Sequence, residues 1–241
     1  MNLIIDAGNT CIKLVAFDGD APVEVCTADY DELDKFTRFL SAYPFNRGIV
    51  SSVVDMPDAM EMAIGELPFG MKRLVPGVTP VPLTIRYATP HTLGADRLAA
   101  AVGAYVKGGG TDVLVIDVGT CITYDFVNAN GEYLGGNISP GPKLRLMALC
   151  EHTSKLPLVS RHGDTPEVGY STETAIRSGV LNGIRREIEG YISDFLLKYP
   201  RLLVYLTGGV HLDLHISEKM RIFADDFILS YGLNCILEYK K

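Results

Sequence analysis

Two stretches of this 241-residue chain repeat one another. Ile4-Ile5-Asp6-Ala7-Gly8-Asn9-Thr10 and Val115-Ile116-Asp117-Val118-Gly119-Thr120 each run from an apolar, β-rich segment into Asp-x-Gly. Each is followed by a second β-rich run, residues 11–17 (CIKLVAF) and 121–127 (CITYDFV). Such runs, bounded by Gly, Asn and Thr, read as a strand, a hairpin turn and a returning strand. Asp6 and Asp117 are 111 residues apart, and so are Gly8 and Gly119. The chain is therefore read as an internal duplication in which each half opens with the same hairpin.

The remaining pattern fits that frame. Residues 22–28 predict a third strand. Leu33, Phe36, Leu40 and Tyr43 recur at helical spacing, predicting a helix over 30–43 that Pro44 stops. A strand over 48–54 and a helix over 57–67 follow, then a proline-rich stretch with short strands over 68–92. Leu98, Val102, Tyr105 and Val106 mark a helix that begins near Asp96. Gly108-Gly109-Gly110 break the pattern, so the domains are read as 1–107 and 111–241 with 108–110 as a glycine hinge. Strands are expected over 112–118, 121–127 and 132–139. The line Ile176–Val180–Ile184–Ile188–Ile192 predicts a helix over 172–198, ended by Pro200. A strand over 202–207, a helix over 215–230 and a strand over 233–239 close the chain. Mixed strands and helices make the fold class α/β or α+β.

Composition removes whole classes of function. Lys plus Arg is 22 against 29 for Asp plus Glu, a net charge of −7, and no basic cluster offers a footprint for nucleic acid or anionic lipid. No apolar run approaches the roughly 18 residues of a membrane span. The start Met-Asn-Leu-Ile-Ile-Asp has neither the basic nor the apolar region of a secretory signal, so a cytoplasmic protein is expected. Five scattered cysteines without CxxC read as structural thiols. His211 and His215 are four apart, but no third metal ligand accompanies them.

Four constellations carry chemistry. In Asp6 to Lys13, Gly8 lets backbone approach a ligand closely, and the turn amides, Asn9, Thr10 and Lys13 could face phosphate oxygens. Asp6 could hold hydrated Mg²⁺, which needs few carboxylates; a plain hairpin turn accounts for the same residues. Asp117-Val-Gly-Thr120, with Asp125 five residues on, is its duplicate. Thr207-Gly208-Gly209 ends a strand where backbone could approach a nucleotide. In Gly94-Ala95-Asp96-Arg97, Asp96 is either a first-turn acid on a helix dipole or a base beside an anion-clamping arginine. Neither GxxxxGK[ST] nor GxGxxG is present, which closes the P-loop and Rossmann routes.

Taken in order, these motifs resemble the type III pantothenate kinases of the acetate and sugar kinase, heat-shock ATPase and actin superfamily. The resemblance rests on Asp-x-Gly-Asn-Thr-x-x-Lys at 6–13, Gly-Ala-Asp-Arg at 94–97 and Asp-x-Gly-Thr at 117–120. It extends to Gly-Gly-x-Ile-x-Pro-Gly at 135–141, Thr-x-x-Ala-Ile-x-Ser-Gly at 172–179 and Thr-Gly-Gly at 207–209. It implies two duplicated ribonuclease-H-like (actin-like ATPase) domains with a cleft between them. It also implies ATP-dependent phosphorylation of the primary hydroxyl of pantothenate, the first step towards coenzyme A. By that likeness Asp96 is the catalytic base. Asp6, Ala7, Gly8, Asn9, Thr10, Cys11, Ile12 and Lys13 bind ATP phosphates together with Thr120. Tyr87, Gly94, Ala95, Asp96, Arg97 and Thr172 meet pantothenate. Asp117 holds K⁺ or NH₄⁺ beside the Mg²⁺ of ATP, and the protein is a homodimer with shared active sites. Thr172 also reads as the N-cap of the long helix. The alternatives are another small-molecule kinase of the superfamily and a non-catalytic regulator of transcription.

Overall fold

The computed structural model describes residues 1–209, 214 and 221–240. The expectations for His211, His215 and residues 215–220 lie outside the described residues. The described chain forms two sheets with helices packed on them, an α/β fold. Close contacts gather it into two compact units. One is Met1–Val113 with Asp125–Gly135 and Asp225–Lys241; the other is Leu114–Tyr124 with Gly136–Ala224.

In the first unit β1 (Asn2–Ala7), β2 (Ile12–Asp18), β3 (Ala21–Ala28), β4 (Arg47–Ser52) and β5 (Met71–Arg73) form a sheet ordered β3-β2-β1-β4-β5. β1 and β2 are antiparallel, with Asp6 opposite Lys13, and β4 runs parallel to β1. The sheet's period of two puts Leu3, Ile5, Ala7 and Val50 on one face, where they pack with Phe36, Phe39 and Met60 of α1 (Leu33–Ala42) and α2 (Asp58–Gly65).

Against β4 lies α3 (Ala95–Lys107), and across it α6 (Ile228–Glu238), which also packs on β1 and β4. The α3–α6 crossing is close because it is made of glycines. A Cβ on Gly103 would lie 2.1 Å from the Ile228 carbonyl oxygen, and one on Gly232 would lie 1.8 Å from that of Ala99. This corrects the end of the chain. The predicted strand over 233–239 is helix, and Ile222–Ala224 within the predicted 215–230 helix is strand β11. A short apolar run is compatible with either state by pattern alone. Here Leu233, Ile236 and Leu237 share a helical face, and all three are buried.

The second sheet is ordered β11-β10-β7-β8-β9-β6. Its strands are β6 (Thr84–Ile85), β7 (Val113–Val118), β8 (Cys121–Val127), β9 (Glu132–Pro140), β10 (Leu203–Thr207) and β11. The duplication is visible in burial. β1 and β7 share one six-residue pattern of burial, and residues 12–17 match residues 122–127 position for position. The predicted helix over 172–198 is α5 (Thr172–Lys198). A helix absent from the sequence reading, α4 (Pro142–Glu151), packs against it. Leu144, Leu146, Met147 and Leu149 spread around α4 and form no stripe. α4 and α5 leave an apolar groove of about 910 Å³, lined by Leu144, Leu149, Leu156, Thr172, Ile176 and Val180 among others.

Candidate active site

The first unit carries the longer of the two hairpins. The Gly8 N–H donates to the Cys11 carbonyl at 3.1 Å, and the Tyr30 hydroxyl donates to the Gly8 carbonyl. Asn9 and Thr10 are exposed at the tip, while Ala7 and Ile12 are buried as the hairpin's footing. Gly8 has no positive φ, and a Cβ there would meet only the Cys11 carbonyl at an ordinary 3.5 Å. The fold therefore does not need glycine at this position. Lys13 leaves β2 beside the hairpin. Its ammonium donates to the Asp226 carbonyl at 3.1 Å and lies 5.8 Å from the centre of the Phe227 ring.

The segment 94–97 opens α3. Gly94 is the N-cap, and a Cβ there would lie 2.4 Å from Asp96 Oδ1 as that carboxylate is placed. The Asp96 carboxylate folds back over the helix start, where the Arg97 N–H donates to Oδ1 at 2.8 Å. It is partly exposed and sits in the first turn of a 13-residue helix. Ala95 is buried.

Arg97 is 6% exposed and its guanidinium is engaged. Nε lies 3.0 and 3.2 Å from the two Asp125 oxygens and Nη2 lies 2.7 Å from Oδ1. The Tyr133 hydroxyl donates to the same Oδ1 at 2.7 Å. Burial opposes the guanidinium's charge, but the hydrogen bonds and charge of Asp125 outweigh it and raise the Arg97 pKa. Burial pushes the Asp125 carboxyl up, and Arg97 and Tyr133 oppose that rise. The Tyr87 ring stands 6.1 Å from that of Tyr133 and over Gly135, where a Cβ would meet it at 3.1 Å. Asp125 and Tyr133 carry no role in the sequence reading. The signal was an acid on a β-rich run, at the place where the first half has buried Val15.

In the second unit the shorter hairpin closes with the Gly119 N–H donating to the Cys121 carbonyl at 2.9 Å. Asn9 has no counterpart, and Thr123 stands where the first half has Lys13. Two distant glycines close on this hairpin. The Gly141 N–H donates to the Thr120 carbonyl at 3.0 Å, and a Cβ on Gly141 would lie 2.3 Å from the Gly119 carbonyl oxygen. Gly208, at φ +100°, leaves no room for a Cβ against Val118 O at 2.5 Å and Asp117 Oδ1 at 2.6 Å. Gly141 of the 135–141 motif and Gly208 of the 207–209 motif thus meet the 117–120 turn. Thr120 is exposed at its tip.

Thr172 is not the N-cap of α5. Ser171 is, and its hydroxyl accepts from the Thr174 N–H at 3.2 Å within a reciprocal capping box. The Thr172 side chain is exposed and lines the apolar groove.

Asp6 and Asp117 each offer one carboxylate at the C-terminal end of a strand, and no cluster of three or more His, Cys, Asp or Glu exists among the described residues. Single oxygen donors of this kind suit hard cations that keep much of their water, and do not suit zinc.

Known proteins agree with this architecture. In solved structures the chain is similar to a protein of Campylobacter jejuni described as a Baf family transcriptional activator, with a TM-score of 0.62, 20% identity, and coverage of 98% of this chain and 97% of that one. It is also similar to the ethanolamine utilization protein EutJ from Carboxydothermus hydrogenoformans, with a TM-score of 0.52, 14% identity, and coverage of 97% and 89%. At these identities the likeness is one of fold. Sequence relatives are nearer. A type III pantothenate kinase of Phocaeicola vulgatus is 49% identical over 239 residues, 99% of this chain and 98% of that protein. One of Bacteroides fragilis is 47% identical over the same shares. The profile of the family described as type III pantothenate kinase matches residues 2–194. With both hairpins, the Gly-Ala-Asp-Arg helix start and the two closing glycines in place, the chain belongs to the type III pantothenate kinase family.

Proposed function

We propose that this chain transfers the γ-phosphate of ATP to the primary hydroxyl of pantothenate, giving 4'-phosphopantothenate, the first step of coenzyme A biosynthesis. The observation that carries the reading is the Gly94–Arg97 helix start, where Gly94 makes room for a carboxylate that the Arg97 N–H holds in place. The substrate oxygen bonds to the γ-phosphorus, the bond from that phosphorus to the bridging oxygen breaks, and ADP leaves. Asp96 accepts the hydroxyl proton. Phosphoryl transfer needs positioning and charge neutralisation more than covalent help. Lys13 and the amides of residues 6–13 supply both to the phosphates, with Thr120 as a further ATP contact.

As a kinase the chain uses ATP with a divalent metal. We assign Mg²⁺ to Asp6 and a monovalent cation, K⁺ or NH₄⁺, to Asp117; bound cations would neutralise phosphate charge. Tyr87, Gly94, Ala95 and Thr172 belong to the pantothenate site. Arg97 contributes its N–H, while its guanidinium is committed to Asp125. Residues 1–107 and 111–241 are the two copies of the duplication, joined at 108–110, where Gly109 and Gly110 have φ of +67° and +77°. The apolar α4–α5 groove supports a homodimer with shared sites, expected to show twice the 26.3 kDa chain mass in light scattering. Among the described residues no helix is long and apolar enough to cross a membrane. The location assigned is cytoplasmic, and the net charge of −7 supports an enzyme without nucleic-acid partners. The transcription-regulator alternative is not favoured, since the sequence relatives at 49% and 47% identity carry a kinase name.

Asp96→Asn keeps the side chain's size and removes the base. In an assay with ATP, Mg²⁺, pantothenate and K⁺, kcat is expected to fall by about 10²–10⁴ with folding intact. Near-normal turnover would remove Asp96 from its role. In the same assay, equal wild-type rates in K⁺, Na⁺ and Tris would remove the monovalent cation from Asp117.

A further inference from the structure

We infer that Glu187 and Arg145 are positioning residues that hold the Thr120 hairpin in its ATP-binding geometry; the inference rests on the ATP reading of Thr120. Glu187, on α5, accepts from three different elements. Tyr124 Oη of β8 lies 2.8 Å from Oε1, Ser139 Oγ of β9 lies 2.6 Å from Oε1, and Arg145 Nη2 of α4 lies 2.6 Å from Oε2. Arg145 donates twice more, from Nη2 to Ser139 Oγ at 2.9 Å and from Nε to the Pro140 carbonyl at 2.7 Å. The fork of the guanidinium therefore grips the two residues immediately before Gly141. Gly141 in turn donates to the Thr120 carbonyl and has no space for a Cβ against it. A shift of Ser139–Pro140 therefore bears on the hairpin tip through the Gly141 N–H, 3.0 Å from the Thr120 carbonyl.

The pair makes poor sense as a stability device alone. Both side chains are only about a quarter exposed, and a mostly buried ion pair is weak evidence for stability, because the cost of desolvating both charges offsets their attraction. Its hydrogen bonds instead converge on one point of the chain, the approach to Gly141. Burial acts to raise the Glu187 carboxyl, but the bonds from Ser139, Arg145 and Tyr124 outweigh it and hold it ionised, below the ordinary glutamate value. The arrangement is built around a charged Glu187, with bonds to Arg145 of the stronger, charge-assisted kind.

The test measures Kd for a non-hydrolysable ATP analogue, KM for pantothenate and the thermal midpoint of the full chain. Thr120→Val is the reference. Glu187→Gln is expected to weaken analogue binding by about tenfold, the scale of one charge-assisted hydrogen bond, and to leave the pantothenate KM within about twofold. Arg145→Lys keeps the charge and loses the fork, so it is expected to do the same and serves if Glu187→Gln fails to fold. The double variant Glu187→Leu/Arg145→Met removes both charges together, which often preserves stability. It is expected to regain its thermal midpoint without regaining analogue affinity. If affinity returns with stability, or if Thr120→Val weakens binding while Glu187→Gln and Arg145→Lys do not, the inference is overturned. If wild type does not phosphorylate pantothenate, the proposed reaction itself fails; if Thr120→Val leaves analogue binding unchanged, the Thr120 assignment fails.

Discussion

The two Asp-x-Gly hairpins begin as copies and end as different instruments. Both follow a strand of the same burial pattern, and both close by a glycine N–H donating to a cysteine carbonyl. The first keeps Asn9 at an open tip and places Lys13 opposite Asp6. The second has lost one residue and the lysine, and it is closed on by Gly141 and Gly208. Where the first buries Val15, the second buries Asp125, which binds Arg97 beside Asp96. A duplicated turn thus supplies fixed positive charge in one copy. In the other it supplies a tight backbone setting and an anchor for the start of α3.

Making the second copy like the first at this buried position should have the largest effect on stability. Asp125→Val leaves the Arg97 guanidinium buried without its partner, and about 3–5 kcal/mol of unfolding free energy should be lost in urea titrations. Adding Arg97→Met should return most of it. An unchanged unfolding free energy in the single variant would mean that Arg97 finds another partner and that the two copies differ less than their burial suggests.

A pair of glycine substitutions sharpens the contrast. Gly141→Ala drives a Cβ into backbone oxygens at 2.3 and 2.5 Å and should cost about 1–3 kcal/mol, the scale of overpacking. Gly8→Ala meets nothing closer than 3.5 Å. Its thermal midpoint should stay at the wild-type value while ATP affinity falls, because the proposed function brings a phosphate into the lost space. Equal destabilisation by both would show that the open first hairpin is as tightly packed as the second.

The smallest effect separates two neighbours on α5. Ser171→Ala removes the N-cap and should cost about 1 kcal/mol. Thr172→Ala should leave stability unchanged and raise the pantothenate KM. The reverse result would return the cap to Thr172 and remove it from the substrate site.

Much of this organisation is legible without coordinates. The duplication, both hairpins, the helix over 172–198 and the α/β class follow from local patterns, because Asp-x-Gly turns and apolar periodicity are set within a few residues. The unread parts share a physical cause. α4 presents no apolar stripe, and α6 is a short apolar run whose state is decided by Gly232 docking on Ala99 and Gly103 of α3. The Arg97–Asp125–Tyr133 cluster joins side chains 28 and 8 residues apart in the chain.

By itself the sequence determined which residues turn, which strands they join and which chemistry those turns can carry, since each is a matter of local backbone freedom and residue type. Only the tertiary structure decided what each turn is used for. It set Asp125 against Arg97 instead of leaving it a strand-face acid, seated Gly141 and Gly208 on the second hairpin, and left Gly8 open. Those outcomes depend on which distant backbone comes within 3 Å of a glycine, and on which charge shares a buried space with another. Neither is encoded in any window of adjacent residues.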